Sequence, residues 1–171
     1  MNLSTLTLPA YRQMLAGLSR QLDKAAAHGL GDEVLQKRLA DDMFPLAMQV
    51  AFVCTQAREL VQRLSGHPVA AFEAPTETLE AARLQVAGAI ALLEGADPAA
   101  LDAGADRVIE LDLPNGMTFV MTGEEYVRDW AQAQFYFHLT AAYAILRNQG
   151  LPLGKADYVG HMMAYLKPRA A

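Results

Sequence analysis

The sequence predicts an all-α protein: a bundle of four amphipathic helices with one small β-hairpin between the third and fourth. Three observations carry this. Apolar residues recur at the helical period of about 3.6 in four long stretches. The period falls to 2 over 108–113 and again over 117–121. Asn115-Gly116 stands between those two runs, and Asn-Gly in that position is a strong hairpin signal.

The first helix takes Thr7 as its cap and Pro9 in its first turn. Tyr11, Met14, Leu15, Leu18, Leu22 and Ala25 mark its buried face, and Gly29 ends it just after His28, which reads as solvated. Residues 30–40 suggest a short helix begun at Asp32. The second long helix is expected from Asp41 or Asp42 to about Gly66, with Pro45 tolerated in the first turn. Its inward candidates include Ala47, Val50, Cys54 and Ala57. Met48 and Phe52 lie off the centre of that face, either under a loop or in a partner interface.

Residues 66–75 read as a loop, with His67 exposed in it. Thr76 is the expected cap of the third helix, which carries Leu79, Ala82, Val86, Ile90 and Leu93 inward and stops at Gly95. Asp97-Pro98 opens one further turn, and the hairpin follows at about 108–121, turning at Pro114-Asn115-Gly116. A lone hairpin is marginal in water, so it is expected to lie on the helices.

The fourth helix is the strongest signal in the chain. Thr122 and Glu125 have the spacing of a capping box, Arg147 suits the C-terminal end of the dipole, and Gly150 with Pro152 is a stop. At 100° per residue, Val127, Trp130, Ala131, Gln134, Phe135, His138, Ala141, Ala142 and Ile145 share one stripe. Residues 161–166 suggest a short terminal helix. The links before the third and fourth helices are long enough to cross an end of the bundle, so the helix order stays open.

Composition excludes several classes. At 171 residues, residues 1–171 suit a single domain with a sizeable core, and 53% hydrophobic content excludes disorder. No apolar run approaches the ~18 residues of a membrane span. A net charge of -5 without a basic cluster argues against nucleic acid as a partner. The single cysteine, Cys54, and an N-terminus without a basic-then-apolar leader point to a cytoplasmic protein.

Few residues carry chemistry. Gln134 and His138, four apart, sit one above the other in the apolar stripe and need partners there. His138 reads either as a hydrogen-bonded core histidine or as a ligand or base in a pocket, for which Gln134, Trp130 and Cys54 are the companion candidates. Cys54 otherwise reads as a small buried hydrophobe. Asp157 and His161, four apart, are a weaker pair near the C-terminal end. Gly150-x-x-x-Gly154-Lys155 is one residue short of a phosphate loop and follows a helix instead of a strand.

The segment QFYFHLTAAYAILRNQGLPLGKADYVG, with LADDMFPLAMQV in the second helix and the hairpin followed by TGEEY, resembles the bacterial family called domain of unknown function nineteen ninety-three. That family is similar to a branch of the DinB/YfiT-like superfamily of metalloenzyme-like proteins. The resemblance implies a DinB-like four-helix bundle, often a homodimer, and in some relatives transfer of low-molecular-weight thiols. It also implies a divalent metal on three histidines, one from the second helix and a His-x-x-x-His pair from the fourth.

Counted back from Gly150, that pair falls on Gln134 and His138, and none of the inward candidates on the second helix is histidine. One imidazole and one carboxamide make a poor transition-metal site, so no metal and no cofactor is expected. Two classes remain. One is a non-catalytic or small-molecule-binding dimer that has lost the three-histidine site. The other is an enzyme, thiol-transferase-like, acting on a small molecule in a pocket around His138 and Gln134.

Overall fold

The computed structural model describes residues 2–113 and 115–167. Its long helices are α1 (Leu3–Ala27), α2 (Leu46–Ser65), α3 (Leu79–Glu94) and α6 (Gln132–Asn148). The short helix α4 (Pro98–Asp102) precedes strands β1 (Val108–Asp112) and β2 (Thr118–Thr122). Helix α5 (Gly123–Glu125) runs through a π-helical turn, Tyr126–Ala131, into α6. Helix α7 (Lys155–Tyr158) and a 3₁₀ turn at Gly160–Tyr165 follow. The chain is mostly helical with one small antiparallel sheet. Helix α2 packs on α6 and α3, and α1 packs on α3 and α6, so each long helix has two long neighbours.

The hairpin forms where the period changes, in the register Val108↔Thr122 to Asp112↔Thr118. Ile109 and Leu111 turn inward and are buried, which fixes the hairpin against the helices. Of the expected turn, Asn115 and Gly116 lie between the strands, with Gly116 at φ 84°, and Pro114 lies outside the described residues. The Thr122–Glu125 capping box is present in both directions.

Beyond the box the helix departs from the uniform period. The Gln132 amide donates to the Val127 carbonyl, five residues back, which widens the turn. Tyr126 and Val127 are both buried as a result, whereas Trp130 is only half-buried, against Phe119 of the hairpin at 5.8 Å.

Several helix starts differ from expectation. Helix α1 begins at Leu3, with Asn2 as a cap residue that makes no side-chain bond, and Pro9 lies inside it. The Thr7 hydroxyl donates back to the Leu3 carbonyl at 2.7 Å instead of capping. The extra turn is held from outside: the Ser4 amide and hydroxyl both donate to the Asp102 carboxylate, at 2.8 and 2.9 Å. Helix α2 starts at Leu46, not at Asp41 or Asp42, because Pro45 takes an extended conformation and disfavours helix in Phe44 before it. Thr78, not Thr76, caps α3 by accepting from the Ala81 amide at 3.1 Å. The segments at Asp32–Gln36 and Gly160–Tyr165 are 3₁₀ turns.

Gly104 and Gly123 bring the hairpin base against the end of α2. A Cβ on Gly104 would overlap the Leu64 carbonyl, and one on Gly123 would overlap the Gly104 carbonyl. The Glu124 amide donates to Ala105 O at 2.9 Å across the same contact. Phe135 of α6 lies fully buried with its ring stacked on Tyr11 of α1, centroids 3.9 Å apart.

Candidate functional site

The polar centre of the molecule joins α2 to α6. Gln49, in the first turn of α2, donates from Nε2 to the Phe44 carbonyl at 3.0 Å. A carbonyl can only accept, so the amide orientation is fixed and Oε1 faces the other way. His138 Nδ1 lies 2.8 Å from that Oε1 and must donate to it. The imidazole is therefore the Nδ1–H tautomer, with the lone pair on Nε2. His138 is 7% exposed and Gln49 1%. Burial lowers the His138 pKa from 6.5 to about 4, so the ring is neutral at pH 7.

Aromatic rings surround this pair. Phe52, one turn along α2 from Gln49, stacks on the imidazole at 4.5 Å, and Phe137 meets it edge-on at 5.2 Å. Phe44 and Phe72 each touch Phe52 at 5.2 Å. Phe72 belongs to the 66–78 connection, so Phe52 lies under a loop, and both Phe52 and Met48 are half-buried. The rings of Phe44, Phe72 and Phe137 remain 53%, 45% and 59% exposed.

The companion candidates do not gather around His138 as one group. Gln134 is half-buried one turn earlier on α6, and the bond His138 makes is to Gln49. Trp130 packs on the hairpin through Phe119. Cys54 lines a separate cavity with Arg58, Thr76 and Gln85, none of which comes from α6. Burial pushes the Cys54 thiol up to about 12, far from a reactive thiolate. Asp157 accepts from the Gly154 amide at 2.7 Å and from Lys24 at 3.1 Å, and these two bonds hold its carboxyl below the usual carboxylate range. It caps a helix and ties down the C-terminal segment.

Gln49 is the residue that the angular reading of α2 passed over. That reading gave α2 one inward face, but α2 packs on both α3 and α6, and its buried girth takes in Gln49, Thr55 and Gln56 as well. The available signal was a single amide three and four residues before Phe52 and Val53.

The residues do not fit the three-histidine metal site that the resemblance implies. Among the described residues no group of three His, Cys, Asp or Glu side chains could hold a metal ion. His28 and His67 are exposed at α1's end and in the 66–78 connection.

The depressed pKa of His138 has a definite sign for stability. The unfolded chain binds the proton first, near the ordinary 6.5, and the folded protein only near 4. The stabilisation is complete above about pH 6.5 and is lost as pH falls toward 4. An NMR titration of the His138 ring is expected to show its midpoint near 4; a midpoint at or above 6 would contradict this burial.

Comparison with known proteins adds three findings. A family model described as a domain of unknown function (DUF1993) matches residues 3–159. The crystal structure of a DinB family member protein from Shewanella denitrificans is similar at TM-score 0.79 and 33% identity, over 99% of this chain and 95% of that one. No curated protein matches this chain.

Proposed function

We propose that this chain, which belongs to the DUF1993 family, is a DinB-like four-helix bundle acting as a non-catalytic or small-molecule-binding homodimer that has lost the three-histidine metal centre. The observation that carries this reading is the His138–Gln49 bond, 2.8 Å long and nearly closed to solvent. It pins α2 to α6 at His138, the position that the count back from Gly150 matches to the second histidine of the implied pair, and the facing group here is a carboxamide. The exposed rings of Phe44 and Phe72, which both meet Phe52, and of Phe137, which meets the His138 ring stacked on Phe52, support a dimer face.

The enzyme reading has one observation in its favour, the free lone pair on His138 Nε2. Two magnitudes weigh against it. A general base works best with a pKa near the working pH, and that of His138 is about 4. A thiol-transfer step through Cys54 would need a thiolate, and its pKa is about 12.

The test combines metal analysis and light scattering of untagged protein with melting of His138 variants. Less than a tenth of an equivalent of zinc or nickel and a dimer mass are expected. His138→Gln can keep Gln49 partnered, whereas His138→Leu strands its buried oxygen at a cost of ~1–3 kcal/mol, so the leucine variant is expected to melt lower. One equivalent of metal, lost together with stability in both variants, would restore the metalloenzyme reading.

A further inference from the structure

Helix α3 keeps one apolar face exposed. It is the most apolar of the four long helices, and from Leu84 to Leu93 it carries no charged residue. A helix that is apolar all round is ordinarily buried all round. The chief neighbours of α3 are α1 and α2, and Ala82, Val86, Ala89 and Leu93 are buried on one side of it. On the other side Leu84 is 67% exposed, Ala87, Gly88 and Ala91 are exposed with it, and Leu92 is half-buried. The face has relief as well as apolarity. Leu84 projects, while one turn later Gly88 leaves a gap in which a Cβ would meet nothing within 4 Å. Charges of opposite sign bound it, the exposed Arg83 before Leu84 and the exposed Glu94 after Leu93. Eleven residues separate these two, which at roughly 100° per residue puts both on the same flank of the helix.

We propose that this face docks α3 of a second copy, antiparallel, with Gly88 at the two-fold axis. The pattern of charge selects that occupant. A two-fold axis between antiparallel helices reverses their direction and keeps flank against flank, so Arg83 meets the partner's Glu94 and Glu94 meets the partner's Arg83. Two reciprocal ion pairs follow from one sequence, as an isologous interface requires. Arg83 already pairs with Asp23 of α1 on the surface, and its five donors allow a second carboxylate. Shape agrees with charge. In knobs-into-holes packing a side chain enters a hole made by four residues of the facing helix, spaced i, i+3, i+4 and i+7. Leu84 is the knob, and Gly88, Ala91, Leu92 and Gly95 have that spacing and supply a shallow apolar hole opposite it. Glu80 lies a turn further out, where crossing helices have separated. One helix on one helix falls below the ~1,200 Å² of a stable interface, so the contact is weak and depends on concentration. It goes beyond the dimer face of the phenylalanine rings, which belongs to the α6 side of α2.

The test is sedimentation equilibrium of the full untagged chain from low micromolar to millimolar concentration. The mass is expected to double towards the upper end, from whichever state is present at the lower end. Leu84→Glu is expected to abolish the doubling with an unchanged melting temperature, since the side chain is exposed. Arg83→Glu sets like charges against each other and should weaken the association by about tenfold, and Arg83→Glu combined with Glu94→Arg should restore it. A mass that does not change with concentration, a doubling that survives Leu84→Glu, or a double variant as weak as Arg83→Glu alone would each overturn the proposal. A monomer at low concentration would count against the phenylalanine dimer and not against this contact, because a Leu84-dependent doubling would still be read from monomer to dimer.

Discussion

Phe135→Ala is expected to destabilise the protein by about 3–5 kcal/mol, the cost of removing a large aromatic ring from a packed core. The ring is fully buried, stacks on Tyr11 at 3.9 Å and meets Tyr136 edge-on at 5.4 Å. It is one of the contacts between α6 and α1. Since domains of this kind have only about 5–15 kcal/mol of stability in all, the variant should sit close to unfolding. Urea denaturation gives the number: a lower midpoint at unchanged slope is expected. A loss below about 1 kcal/mol would mean that the ring is not packed as described.

The same alanine substitution at different glycines is expected to have opposite signs. Gly123→Ala and Gly104→Ala put a methyl group onto backbone, the Gly104 and Leu64 carbonyls, which cannot rotate away. The hairpin base must then lift off the end of α2, and overpacking that displaces backbone costs about 3 kcal/mol at the upper end of its usual range. Gly88→Ala meets open space in a helix interior and should gain about 1 kcal/mol. Thermal melting of the three variants side by side checks the contrast. Two destabilised variants and one stabilised one are expected; three similar shifts would refute the close approach at the hairpin base.

What could be read from the sequence was local. The Thr122–Glu125 capping box and the Asn115-Gly116 hairpin depend on residues within a few positions of each other, and both formed. The start of α1 was missed because its first turn is held by Asp102, 98 residues away, which no cap rule can see. The partner of His138 was missed for a related reason. A stripe drawn at 100° per residue shows which side of a helix is apolar, but not how many neighbours that helix has, and α2 has enough of them to bury Gln49. Cys54 was placed with His138 because both face inward. They face different interiors, α3 on one side of α2 and α6 on the other. The membership of the family was legible because helix-four residues such as QFYFHLTAAYAILRNQG form one contiguous segment.

The wide turn at Tyr126–Ala131 has a consequence for how relatives line up with this chain. A π turn takes up one residue more than an α turn for nearly the same advance along the axis. A relative whose helix is α-helical throughout would reach the equivalent of His138 from its Thr122-like cap with one residue fewer. The matching gap then falls in the middle of a helix, where an insertion is least expected. Counted from Gly150 backward, His138 keeps its frame, because that path crosses only α6; counted forward from Thr122, the same histidine is one place out of step.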